Sequence, residues 1–340
     1  MLLLIKWILI VLKFICKPFT MCKSKQFNVI TTKIIGTGIY EPKNYVDNSQ
    51  LLERIDLESL NKRNKLGKKP ETFVSDYYGI NGRFIADKEE SPSFMGMNAG
   101  INALSNAGIK ANQVDLLIYA STSIDKSIPD TSTRVHKALG MKSTPAFSVN
   151  STCLSFLHAL NVANNFITSG QYKTILIVSS EKPSVFANPS DPKTATILGD
   201  MATAVVLQAS TQESSRIITS KFSTHSELCE MIELDIGNIR HTESKPYTLK
   251  DFYFKINNSG SLIKSEPELF KKFMSMLVFS NYKYVIPHQP SAIAVSHAEE
   301  VFGKDKVFHT FQQVGNIVVS SIPYNLHKII SQGKLSRGFY

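Results

Sequence analysis

At 340 residues the chain is long enough for one large domain or two of ordinary size, and 43% apolar residues with 20 Phe and 12 Tyr exclude wholesale disorder. Four cysteines, Cys16, Cys22, Cys153 and Cys229, are too few and too scattered for a disulfide scaffold or a zinc site, so a reduced intracellular enzyme is expected. Half of the +10 net charge sits in residues 1–26 as Lys6, Lys13, Lys17, Lys23 and Lys25; the rest is mildly basic, without the interleaved aromatics of a nucleic-acid binder.

The chain opens on MLLLIKWILIVLKFI, apolar apart from Lys6 and Lys13 and carrying the single Trp, Trp7. Fifteen helical residues reach roughly 22 Å, short of the ~30 Å hydrocarbon core, and no small-residue cleavage site follows. Residues 1–20 therefore read as a membrane-surface anchor, a signal-anchor, or an extension ahead of a true start at Met21. From residue 28 apolar β-branched runs alternate with helical stretches, the pattern of a layered α/β protein. Buried strands are predicted at Val29–Ile35, Leu116–Ala120, Ala146–Val149, Thr174–Val178, Ala204–Leu207 and Tyr284–Ile286. Helices are predicted at Ser93–Ala107 and Cys153–Thr168, the second with Phe156, Leu160, Ala163 and Ile167 at helical spacing and Gly170 at its end. Lys62, Arg63, Lys65, Lys68 and Lys69 fall in a polar stretch without apolar periodicity, read as a solvated loop or a docking patch for an acidic partner. VDLLIYASTS at 114–123 and KYVIPHQPS at 283–291 both read as strand, polar loop and helix, a faint sign of duplication.

Cys153 is the sharpest chemical feature. It follows a predicted strand and stands at the first turn of a predicted helix, where unpaired N–H groups and the helix dipole would stabilise a thiolate; the competing reading is a small buried hydrophobe. His288 follows strand Tyr284–Ile286, the strand end at which α/β proteins bind ligands. Asn316, after Gly315, can offer a side-chain amide to an oxyanion, although Asn after Gly is also ordinary turn chemistry.

TKIIGTGIYEP (32–42), NSTCLSF (150–156), LGDMATAVVL (198–207), VIPHQPS (285–291) and VGNIVVSSIP (314–323) together resemble the β-ketoacyl-acyl-carrier-protein synthase III family of the thiolase superfamily, over residues 32–338. The resemblance implies a thiolase-like duplicated layered α/β fold, with a hydrophobic and basic extension over 1–30, a first half over 31–210 and a second over 211–340. It implies that Cys153 accepts an acyl group from a thioester, and that the backbone N–H of Cys153 forms part of an oxyanion hole. His288 and Asn316 would stabilise the enolate formed when a malonyl group on acyl carrier protein loses CO₂. Gln289, Pro290, Ser291, Ala292 and Ile293 would contact the carrier. A cytoplasmic homodimer needing neither metal nor nucleotide cofactor is also implied.

Three departures from the family pattern carry expectations of their own. Phe73 and Tyr77 stand where the family places Trp and Arg at the tunnel mouth, and Lys193 lies beside Pro192, where a second Arg aligns. A carrier-protein donor is therefore favoured over coenzyme A, with the 62–69 cluster as a docking aid. Ile128 aligns near the residue that closes the acyl pocket across the dimer interface, and the segment between Phe270 and Tyr284 is shortened. Because the family continues past the Arg-Gly turn for two more strands, the second half is expected to be incomplete. A catalytically inactive remnant that binds a synthase or carrier is then the alternative to a working condensing enzyme. An α/β-hydrolase esterase is disfavoured by the lack of a G-x-S-x-G elbow.

Overall fold

The structure is a computed structural model describing residues 29–212, 216–235, 248–257, 268, 272 and 282–335. Seven strands organise its first part: β1 (Thr31–Tyr40), β2 (Asn44–Asp47), β3 (Gly82–Ile85), β4 (Leu116–Ala120), β5 (Ala146–Val149), β6 (Thr174–Glu181) and β7 (Met201–Ser210). Five of them form one mixed sheet in the order β1-β7-β6-β4-β5. β7 runs antiparallel to both neighbours, whereas β4 is parallel to β5 and to β6, with Leu116 opposite Ile175 and Tyr119 opposite Val178. β2 and β3 pair as a separate antiparallel ribbon.

Among the described residues, the helices of eight residues or more are α1 (Pro92–Ala107), α2 (Thr131–Ala138), α3 (Ser155–Thr168), α4 (Ala292–Phe302) and α5 (Ser321–Ser331). The strand period of two sorts the central sheet into two cores. Leu117 and Tyr119 of β4 face Met95, Ala99 and Ala103 of α1. Leu116, Ile118 and Ala120 face Phe156, Ala159, Ala163 and Ile167 of α3. The continuous apolar runs of β4 and β6 are thus explained by cover on both faces. β1 lies so close to α1 that a Cβ on Gly38 would stand 2.2 Å from the backbone nitrogen of Ala103. α5 closes over β1, where Tyr324 and Lys328 both donate to Glu41, at 2.7 and 2.9 Å.

A third core joins distant segments. Val46, Leu51, Leu60, Phe73, Val74 and Ile80 pack against Val295 of α4 and Phe311. This changes the reading of the basic cluster, because Leu57–Arg63 is a helix anchored by buried Leu60, with Lys62 and Arg63 in the last turn, where cations complement the dipole. Three of the five cations are paired within the molecule: Lys62 to Glu58, Arg63 to Asp191 and Lys68 to Asp76. Tyr284–Ile286 is not a strand. Among the described residues Val285 alone bridges, to Val307, with its N–H on Lys306 O and its carbonyl taken by Phe308 N–H. Residues 1–28, and with them the anchor readings, Cys16 and Cys22, lie outside the described residues. Among the described residues no helix is long and apolar enough to cross a membrane.

Candidate active site

Cys153 sits in the short connection between β5 and α3. Local bonds shape that turn: Thr152 N–H donates to Asn150 Oδ1 at 3.1 Å, Ser151 N–H to Ser155 Oγ at 2.9 Å, and the Ser155 hydroxyl to Thr152 O at 2.6 Å. Thr152 is held at φ 48°, the left-handed region that β-branched residues avoid. Helix α3 begins at Ser155 with Leu154 as its cap, so Cys153 precedes the first helical turn rather than standing in it. The half-buried side chain packs on the α3 face of the sheet, in the cluster that holds Phe156, Val318 and Val319.

This placement corrects the electrostatic expectation. Burial, and then the nearby Glu181 carboxyl, push the Cys153 thiol up to about 11, overriding any stabilisation of a thiolate by the helix end. Cys153 is therefore a neutral thiol at pH 7, and deprotonation accompanies its attack. Glu181 ends β6, fully buried, and accepts from Ser121 Oγ, Thr122 N–H, Thr122 Oγ1 and Ser123 Oγ at 2.7–2.8 Å. Burial raises its pKa against the pull of those donors. The sequence reading missed this residue, although an acid closing the apolar run TILIVSS was a visible signal.

His288 is half-buried, and its Nδ1 is shielded from solvent without a hydrogen-bond partner among the described residues. Burial lowers its pKa to about 4, so the ring is neutral across the physiological range. Asn316 is clamped by the turn that precedes β7: its N–H donates to Ile197 O at 2.7 Å, and Gly199 N–H donates to its carbonyl at 3.1 Å. Gly315 makes this approach possible, being at φ 70° with a virtual Cβ 2.3 Å from Ile197 O. Val318 N–H donates to Asn316 Oδ1 at 2.9 Å, which orients the carboxamide so that its NH₂ remains to donate elsewhere. Val318 is itself at φ 50°. The two non-glycine residues with positive φ in the described chain thus flank Cys153 and Asn316, strain of the kind that gathers at functional sites.

Gln289 brings the histidine loop and the asparagine turn together, its Nε2 donating to Gly315 O at 2.7 Å. With 0% of its surface exposed, Gln289 does not reach a docked carrier protein, and that expectation is corrected. Of its neighbours, Ser291 caps α4 by accepting from Ala294 N–H, Ala292 packs against Gly79 in the third core, and Pro290 is half-buried. Ile293 is exposed. Phe73 is likewise a core residue at 4% exposure, not a tunnel-mouth surface, although its ring stacks at 5.0 Å on Tyr77, which is 62% exposed. Ile128 projects into solvent at 86% exposure.

Against known families, residues 147–226 match the model described as 3-Oxoacyl-[acyl-carrier-protein (ACP)] synthase III, and residues 276–339 match its C-terminal counterpart. The chain is 31% identical over 311 residues to the beta-ketoacyl-[acyl-carrier-protein] synthase III of Aquifex aeolicus, covering 90% of this chain and 93% of that protein. The corresponding Rickettsia akari protein is 29% identical, at 91% and 93% coverage. The crystal structure of the Aquifex aeolicus synthase superposes with a TM-score of 0.76 over 91% of this chain and 93% of that one, at 29% identity. Xanthomonas campestris OleA, 21% identical with a TM-score of 0.75 over 91% and 92% of the two chains, shares the fold. These matches do not bear out the expectation of an incomplete second half, since the C-terminal family model is met over residues 276–339 and 93% of the Aquifex aeolicus protein is covered.

Proposed function

Because the chain belongs to the 3-oxoacyl-[acyl-carrier-protein] synthase III family, we propose that Cys153, His288 and Asn316 divide its two half-reactions between them. The enzyme is a condensing acyltransferase of lipid synthesis. In the first step Cys153 Sγ bonds to the acyl carbon of a thioester donor while the donor's C–S bond breaks, and the thiol proton leaves with the departing thiolate. In the second, malonyl on acyl carrier protein loses CO₂, the resulting carbanion bonds to the acyl carbon as the bond from that carbon to Cys153 Sγ breaks, and the released thiolate takes up a proton from solvent. Negative charge builds on the malonyl thioester oxygen as CO₂ departs. Two neutral donors in a shielded site stabilise it without the cost of burying a counter-charge.

The observation that carries this reading is the Val318 N–H bond to Asn316 Oδ1, which leaves the carboxamide nitrogen as a donor on a turn that Gln289 ties to the loop of the neutral His288. Acyl carrier protein is the malonyl partner, and we favour it as the acyl donor as well, since Phe73 is packed away and only Tyr77 remains to stack on a coenzyme A adenine. The protein acts as a homodimer in the cytoplasm, with exposed Ile128 reaching the partner's acyl pocket. The test is the intact mass of the protein after incubation with carrier-protein and coenzyme A thioesters, beside Cys153→Ala. An adduct that depends on Cys153 supports the assignment and names the donor; a folded enzyme that acylates elsewhere overturns it.

A further inference from the structure

Gln289 lies at the centre of a buried hydrogen-bond network that the chemistry above leaves unexplained. Its Nε2 donates to Gly315 O at 2.7 Å, and its Oε1 accepts from Asn325 Nδ2 at 2.8 Å and from Thr310 N–H at 3.2 Å. Thr310 Oγ1 closes the circuit on Asn325 Oδ1 at 2.8 Å. Gln289 and Asn325 are fully buried, on elements that do not otherwise form a ladder: the loop after Val285, the turn at 310–316 and helix α5. Every polar atom of both carboxamides except one N–H of each is engaged, which fixes both side chains in a single orientation. The residue beside Gln289 is His288, and the residue beside Gly315 is Asn316.

We propose that Gln289, braced by Asn325, is a positioning residue that sets the separation of His288 and Asn316 for decarboxylation; this rests on the decarboxylative role assigned to that pair above. A carrier-contacting side chain would need to be exposed, and a generic core position would be filled by an apolar residue at no desolvation cost. The hydrogen bonds that shape the Cys153 turn run among Asn150, Ser151, Thr152 and Ser155 and share no group with the Gln289 circuit, so acyl transfer is expected to survive its loss.

The test compares the two half-reactions in Gln289→Met, which keeps the length and volume of the side chain but makes none of its three hydrogen bonds. Malonyl carrier-protein decarboxylation is expected to fall about tenfold to a hundredfold in kcat, the scale of a small misplacement of reacting groups. The rate of Cys153 acylation and the KM for the carrier stay at wild-type values. Asn325→Leu, which removes the donor to Gln289 Oε1, gives the same split at smaller size and serves if Gln289→Met does not fold. A raised carrier KM with unchanged decarboxylation kcat overturns the proposal in favour of a carrier contact. An equal fall in both half-reactions, at an unchanged unfolding temperature, overturns it too. His288→Ala is the control. If it leaves decarboxylation intact, the assignment of the pair itself has failed; if it abolishes decarboxylation while the Gln289 and Asn325 variants behave as wild type, only the positioning role has.

Discussion

The nucleophile turn and the histidine–asparagine pair are built in opposite ways. Around Cys153 the shaping bonds come from Asn150 and Ser155, within one short stretch that leads from β5 into α3. Around His288 and Asn316 they span the fold: Gln289 to Gly315, Asn325 to Gln289, and Asn316 to Ile197 on the turn before β7. A locally bonded turn forms with its own strand and helix, whereas the pair acquires its geometry only once three separate elements have docked. The first is therefore expected to tolerate distant substitutions, and the second to be sensitive to them.

The largest effect tests the local half. Cys153→Ala abolishes the acyl adduct in intact-mass measurements and lowers synthase turnover about a thousandfold or more. Next come His288→Ala and Asn316→Ala, each costing about a hundredfold in malonyl decarboxylation while the adduct on Cys153 still forms. Loss of the adduct in either variant would erase the division between the two regions. The wild-type decarboxylation profile stays flat through neutrality and falls only as pH approaches about 4, where His288 protonates and carries a buried charge. The thiol titrates on the other side: alkylation of Cys153 by iodoacetamide keeps rising beyond pH 9 toward the thiol's pKa of about 11. Glu181→Gln removes a negative charge that disfavours the thiolate, so its profile moves to lower pH; an unmoved profile would assign the whole shift to burial.

The smallest effects compare the two turns through backbone strain. Gly315→Ala places a Cβ 2.3 Å from Ile197 O at φ 70°, and a loss of ~1–3 kcal/mol in denaturant unfolding is expected, together with slower decarboxylation. Thr152→Gly relieves a side chain held at φ 48° and exposed to solvent, and is expected to change stability by less than ~1 kcal/mol, in the stabilising direction. Equal destabilisation by both would show that the nucleophile turn also leans on the tertiary fold.

Much of the sheet was legible because a strand covered on both faces is written as an uninterrupted apolar run. Leu116–Ala120 and Ala146–Val149 have their predicted ends, and Thr174–Val178 and Ala204–Leu207 lie within longer observed strands. Tyr284–Ile286 carries a similar run without becoming a strand, since among the described residues its neighbours supply one rung at Val285. Phe73 and Gln289 were misplaced for a related reason. Residue type alone does not distinguish a surface aromatic from a core one, nor an exposed amide from one buried among three partners.

The order of apolar runs, the turn glycines and the spacing of Cys153, His288 and Asn316 along the chain are properties of the sequence by itself, because each follows from local periodicity or local backbone freedom. The ionisation of those groups and the orientation of their side chains are not. The thiol is neutral because it is buried and Glu181 lies near it, the imidazole is neutral because it is buried, and the Asn316 nitrogen is left to donate because Val318 N–H holds its oxygen. Dielectric surroundings and long-range hydrogen bonds exist only after distant segments pack, and at this site they are what the tertiary structure decided.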